Sequence, residues 1–106
     1  MIKIQIFRQS EGYVTGFEVK GHSNTADYGQ DIVCAAVSAL AQTALLGLGQ
    51  YLHRDMDYRV KSGDLYTVLK DAPDDLTDAI LETMILGLKE IENINPKSIH
   101  ILEHRR

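Results

Sequence analysis

The sequence predicts an α+β domain: a two-layer α/β sandwich in the order ββαββαβ, its sheet mostly antiparallel and its two helices on one face. Three observations lead there. Short segments of alternating or β-branched character recur along the chain, and four of them fall in two pairs joined by Gly-containing turns. Two longer segments carry helical character, one of them without a charge from Ile32 to Leu52. No linker, repeat or low-complexity stretch divides the chain, so residues 1–106 form a single domain.

Each element has its own justification. Ile2, Ile4 and Ile6 alternate with Lys3 and Gln5, the period of a strand. Gln9-Ser10-Glu11-Gly12 turns the chain, and Tyr13 to Lys20 resumes with Tyr13, Thr15, Phe17 and Val19, completing a hairpin that Gly21-His22 ends. Residues 22–31 have no period and read as a long loop, a place where small domains put binding residues. Asp31 is positioned to cap the helix that follows, whose Ala and Leu content favours that conformation. Met56 to Lys61 and Leu65 to Lys70 flank Ser62-Gly63-Asp64 as a second hairpin. Asp71 to Asp75 opens the second helix with Pro and acidic residues. Leu76, Ile80, Met84, Leu88 and Ile91 form its apolar stripe, widened by Leu81 and Ile85, and Asn93 to Pro96 stops it. Ser98 to Glu103 alternates as a last strand, and His104-Arg105-Arg106 is expected to fray.

The charge-free segment is long enough to span a bilayer. Ser38, Gln42, Thr43, Gly47, Gly49 and Gln50 interrupt it, and strand hairpins on both sides would sit awkwardly around one span, so no membrane is expected. A helix apolar nearly all round is buried on two sides, and the second side suits another subunit. Gly47-x-Gly49 inside it reads as close helix packing. The N-terminus alternates from the start and lacks the basic and apolar regions of a signal peptide.

Composition narrows the function. Cys34 is the single cysteine, so no intramolecular disulfide forms, which fits a reducing compartment. The net charge of −4 disfavours binding to nucleic acid through phosphates and suits a basic partner. Phosphate-binding glycine motifs are absent, and His22, His53, His100 and His104 have no metal-ligand spacing, so neither metal nor cofactor is expected.

Chemistry gathers on few residues. Cys34 is either a small buried hydrophobe or, near a helix start, a thiolate stabilised by free N–H groups that could also hold an oxyanion. His22 is either an idle surface residue or the base that a returning loop brings to the thiol, since imidazole can take the thiol proton and later protonate a leaving amine. Ser38 lies one turn beyond Cys34 on the same helix face; its hydroxyl either bonds its own helix or holds part of a site.

Gly21-His22, followed after a Gly-containing loop by Tyr28-Gly29-Gln30-Asp31-Ile32-Val33-Cys34-Ala35-Ala36-Val37-Ser38-Ala39-Leu40, resembles the signature of the ribosomal-processing cysteine protease family, Prp. The likeness extends over the whole chain in length and element order. It implies a bacterial cytoplasmic, homodimeric thiol protease that removes an apolar, aromatic-containing N-terminal extension from the large-subunit ribosomal protein numbered twenty-seven. It also implies Cys34 as nucleophile and His22 as general base. Asp31 and Ser38 would be supporting residues, Asp31 either orienting His22 or capping the helix. The loop 23–31, with Ser23, Tyr28 and Gly29, would order over bound substrate. Ser23 stands where the family commonly has Ala, beside the histidine, a departure that touches fine geometry or substrate detail. The competing reading is a non-catalytic protein-binding module assisting ribosome assembly, with Cys34 as packing; a fast-alkylating thiol against an inert one separates the two.

Overall fold

In the computed structural model, which describes residues 1–10, 12–21 and 28–105 with only the backbone of 28–31, the elements follow the order β1 (Ile2–Arg8), β2 (Val14–Lys20), α1 (Tyr28–Leu46), a π-helical turn (Gly47–Tyr51), β3 (Met56–Lys61), β4 (Asp64–Leu69), α2 (Asp75–Ile94) and β5 (Ile99–Arg105). The sheet order is β3-β4-β2-β1-β5; every pair is antiparallel except β1 with β5, which runs parallel.

The core is the sheet face under the helices. Ile4 and Ile6 stand beside Val19 and Phe17 of β2, which in turn face Leu65 and Thr67 of β4, and Ile2 stands beside Ile99 of β5. Ile2, Ile4, Ile6, Phe17, Leu65 and Thr67 are buried. Alternation alone would put Val14 and Phe17 on opposite faces, yet both are buried, because the register shifts at Phe7/Arg8 and leaves Thr15 as an extra residue. Val33, Val37, Ala41, Ala44 and Leu48 of the charge-free helix close the core from above, joined by Leu81, Met84, Ile85 and Leu88 of α2.

Four expectations need correction. The helix begins at Tyr28, so residues 28–31 of the expected loop belong to α1, and Asp31 lies inside the helix rather than capping it. Tyr28-Gly29-Gln30 contains no proline, and nothing forbids one more turn ahead of the first apolar residue. The stripe of α2 is centred on Leu81, Ile85 and Leu88 with Thr77; Leu76 is exposed, because the buried face follows Thr77, Leu81, Ile85 and Leu88 at helical spacing and Leu76 falls beside it. The N-terminal cap of α2 is reciprocal: the Asp74 side chain accepts from the Leu76 and Thr77 amides, and the Thr77 hydroxyl accepts from the Asp74 amide. The C-terminal segment does not fray through His104 and Arg105: both pair with β1, and His104 stacks on Phe7 at 5.9 Å. Finally, the end of the first helix widens into a π-turn, with the Leu52 amide donating to Gly47 O at 3.0 Å. Gly47 supports the close-packing reading, since a Cβ there would lie 3.1 Å from Ile80 of α2.

One ion cluster ties three elements together. Arg8, its side chain 10% exposed, donates to both Glu82 oxygens on α2 at 3.0 and 2.9 Å, to Glu103 on β5 at 2.8 Å and to the Gly12 carbonyl at 3.1 Å. The hydrogen bond from Arg8 holds the Glu103 carboxyl below its ordinary value, against the opposing effect of burial.

Candidate active site

Cys34 lies in α1 on the side turned toward the sheet, packed in part against the core. It lines a cavity of about 490 Å³ with Ser38, Val60 and the Lys61–Leu65 hairpin tip, over a floor of Ile2 and Val19. That volume belongs to the range of small-ligand clefts. Gly21 lines the same cavity.

Gly21 is held in place by backbone. Its φ of +95° is open to glycine, and a Cβ there would overlap the Met1 carbonyl. Its amide donates to Gly63 O at 3.0 Å, which fastens the end of β2 to the hairpin turn across the cavity mouth. The chain therefore leaves β2 toward residue 22 from a fixed point on the cavity wall. The hairpin tip is braced in turn. Arg59 donates to both Asp64 oxygens at 2.8 and 3.0 Å and lies over the Tyr66 ring. That hydrogen bonding, more than any other influence, keeps the Asp64 carboxyl below its ordinary value.

The residues expected from the sequence divide into three groups. Cys34 and Ser38 come together on the cavity wall, and the Ser38 hydroxyl accepts from Gln42 at 2.7 Å, one turn further on. His22 and Ser23 lie outside the described residues. Tyr28, Gly29 and Asp31 occupy the first turn of α1, with Asp31 three positions ahead of Cys34 in the helix. The expected place of Cys34 at the helix start is corrected. It is the seventh residue of α1, so its amide belongs to the helical ladder. The free N–H groups lie about one turn or more away, and the field of the helix end fades over that distance.

Sequence reasoning missed the cavity's other walls. Val19, Val60 and the hairpin tip carried only strand and turn signals. Their approach to α1 follows from the pairing of β2 with β4, a contact between residues far apart in the chain.

Comparison with known proteins adds to the geometry. A family model described as "Cysteine protease Prp" matches residues 1–100. A relative in Staphylococcus aureus (strain Mu50 / ATCC 700699), named "Ribosomal processing cysteine protease Prp", is 33% identical over 104 residues, covering 95% of this chain and 97% of its own. Two crystal structures of the S. aureus Prp protease superpose closely. The one in complex with a substrate peptide gives a TM-score of 0.89 at 27% identity, covering 98% of this chain and 100% of the other. The one in complex with a covalently linked product peptide gives 0.87 at 28%, with the same coverage.

Proposed function

Because the chain belongs to the cysteine protease Prp family, whose members are ribosomal processing proteases, we propose that its Cys34 and His22 form a catalytic dyad acting on an extended large-subunit ribosomal protein, the one numbered twenty-seven. The observation that carries this reading is the shared cavity: Cys34 forms one wall, and Gly21 forms another. Consecutive Cα atoms are about 3.8 Å apart, so His22 starts within one residue of the wall.

The chemistry follows from those two groups. The His22 imidazole takes the Cys34 thiol proton. The thiolate forms a bond to the scissile carbonyl carbon, and the tetrahedral intermediate collapses as the C–N bond breaks. The imidazolium gives its proton to the leaving amine. Water, deprotonated by the same imidazole, then displaces the thiolate from the acyl-enzyme and releases the carboxylic acid. A product peptide covalently linked to the S. aureus relative agrees with an acyl-transfer course. In this reading Asp31, in the first turn of α1, is a supporting residue that orients His22. Ser38, tied to Gln42, supports the cavity wall.

The same reading places the protein in the bacterial cytoplasm as a homodimer. Ile32 and Leu46 of α1 and Tyr51 of the π-turn after it are exposed in a segment without a charge, a surface suited to a second copy. A net charge of −4 complements a basic ribosomal substrate rather than nucleic acid. Incubation with the extended ribosomal protein, read by intact mass, tests the assignment. Loss of the extension is expected with the wild-type chain and its retention with Cys34→Ala or His22→Ala, both still folded by circular dichroism. Turnover by purified Cys34→Ala would refute the mechanism.

A further inference from the structure

Four side chains form a row across the sheet on the face turned away from the helices. Gln5 of β1 stands opposite Glu18 of β2, Glu18 opposite Tyr66 of β4, and Tyr66 opposite Arg59 of β3. Their strand neighbours Ile4, Ile6, Phe17, Leu65 and Thr67 are buried on the core side, so alternation puts the row outside. Contacts join its members. Gln5 Nε2 donates to Glu18 Oε1 at 3.0 Å. The Arg59 guanidinium lies 5.1 Å from the Tyr66 ring centroid and reaches to 3.6 Å from Glu18 Oε2.

From the end of this row Arg59 also turns along the hairpin. Asp64 stands opposite Lys61, so it is diagonal to Arg59, and both its oxygens accept from the guanidinium. Arg59 is thus anchored in two directions, across the sheet to β2 and along β4 to the tip. The tip, Lys61 to Leu65, is one wall of the cavity at Cys34, and Gly63 O holds the Gly21 amide at the mouth. A shift of the tip would move both. Arg59 lies outside the cavity lining and acts on it through Asp64.

Magnitudes indicate what the contact serves. The Arg59 and Asp64 side chains are 38% and 28% exposed, and pairs so open to water contribute little to folding. The hairpin closes without it, through a tight turn with Gly63 at φ +74°. What a planar two-point fork supplies is direction: it fixes the orientation of the group it grips.

Resting on the reading of Cys34 as nucleophile, we propose that Arg59 is a positioning residue for substrate binding, holding the hairpin tip, through Asp64, in the place where it forms the cavity wall. Without Arg59 the substrate must order the tip itself, which costs affinity rather than the chemical step.

Steady-state cleavage of the extended ribosomal protein tests this. Arg59→Met is expected to raise KM about tenfold and to leave kcat within about threefold. Its melting midpoint should stay within a few degrees of wild type, and alkylation of Cys34 by iodoacetamide within about twofold, because the thiol is untouched. Asp64→Asn, which weakens the same contact from the other side, should raise KM too, and the double variant should lose no more than the worse single one. Arg59→Lys keeps the charge without the fork and should stay impaired. An unchanged KM in Arg59→Met, losses that add in the double variant, or full recovery in Arg59→Lys overturns the positioning role. So does a loss of activity matched by unfolding. Failure of the wild-type chain to cleave overturns the protease reading and this role with it; wild-type cleavage with unaltered KM in Arg59→Met overturns this role alone.

Discussion

Arg8→Met removes the charge that ties β1 to α2 and β5 while keeping much of the aliphatic stem. Arg8 itself is nearly buried, but its partners are not: the Glu82 and Glu103 side chains are 42% and 37% exposed. When Arg8 is lost, both carboxylates recover water, so the large penalty of an orphaned buried charge does not apply. The two pairs then count for little more than good surface pairs, raised by the bidentate geometry to Glu82 and by the lost bond to Gly12 O. Together they amount to about 1–2 kcal/mol. For a chain of this length that lowers the melting midpoint by roughly 4–8 °C. Urea unfolding at pH 7 measures it, with an unchanged m-value indicating that stability alone has moved. The pH dependence has a definite sign. Glu103 has a folded pKa depressed below its ordinary 4.5. Its stabilisation is complete above that value and is lost as pH falls through the depressed one. The gap between wild type and Arg8→Met should therefore narrow as pH is lowered through the acid range below 4.5. An unchanged midpoint at pH 7, or a gap that stays as wide all the way down the acid limb, would refute the ion-pair account.

Two further outcomes follow from backbone geometry. Gly21→Ala forces a side chain into a left-handed position against the Met1 carbonyl, costing about 1–3 kcal/mol. Because it shifts the point from which His22 departs, cleavage rate should fall further than the melting midpoint accounts for; a loss fully explained by unfolding would contradict that positioning role. His53, at φ +55° just after the π-turn, occupies a conformation glycine adopts without strain. His53→Gly should raise stability by about 0.5–1 kcal/mol, measured by urea midpoint, and a drop would show the histidine side chain to be needed.

Much of the fold was legible because its signals are local. The alternation of Ile2, Ile4 and Ile6, the glycine at Gly63 and the acidic opening of the second helix each depend on a few neighbouring residues. What escaped depends on partners distant in sequence. His104 and Arg105 look like a tail until β1 pairs with them. Val14 and Phe17 share a face only because a bulge inserts Thr15. The exposure of Leu76 is decided by which face of α2, that of Thr77, Leu81 and Ile85, meets the core. The site divides the same way. Cys34 and Ser38, one turn apart on a helix, are legible together. Their distance from the helix start is not, because Tyr28 to Asp31 carry no periodic signal. The Val60 wall is brought in by pairing of β2 with β4.

The parallel pairing of the first and last strands fixes where the two ends of the chain emerge. Ile2 stands beside Ile99 and Arg8 beside Arg105, so the strands share one direction. Met1 leaves the sheet at the cavity, its carbonyl against Gly21, whereas Arg105 leaves at the far end of β1, about 20 Å away along the strand. The ends are thus unequal as handles. The chain beyond Arg105 departs from the sheet end opposite the one that lines the cavity. Any residue fused ahead of Met1 starts against Gly21, at the end of the sheet where Ile2 and Gly21 line the cavity.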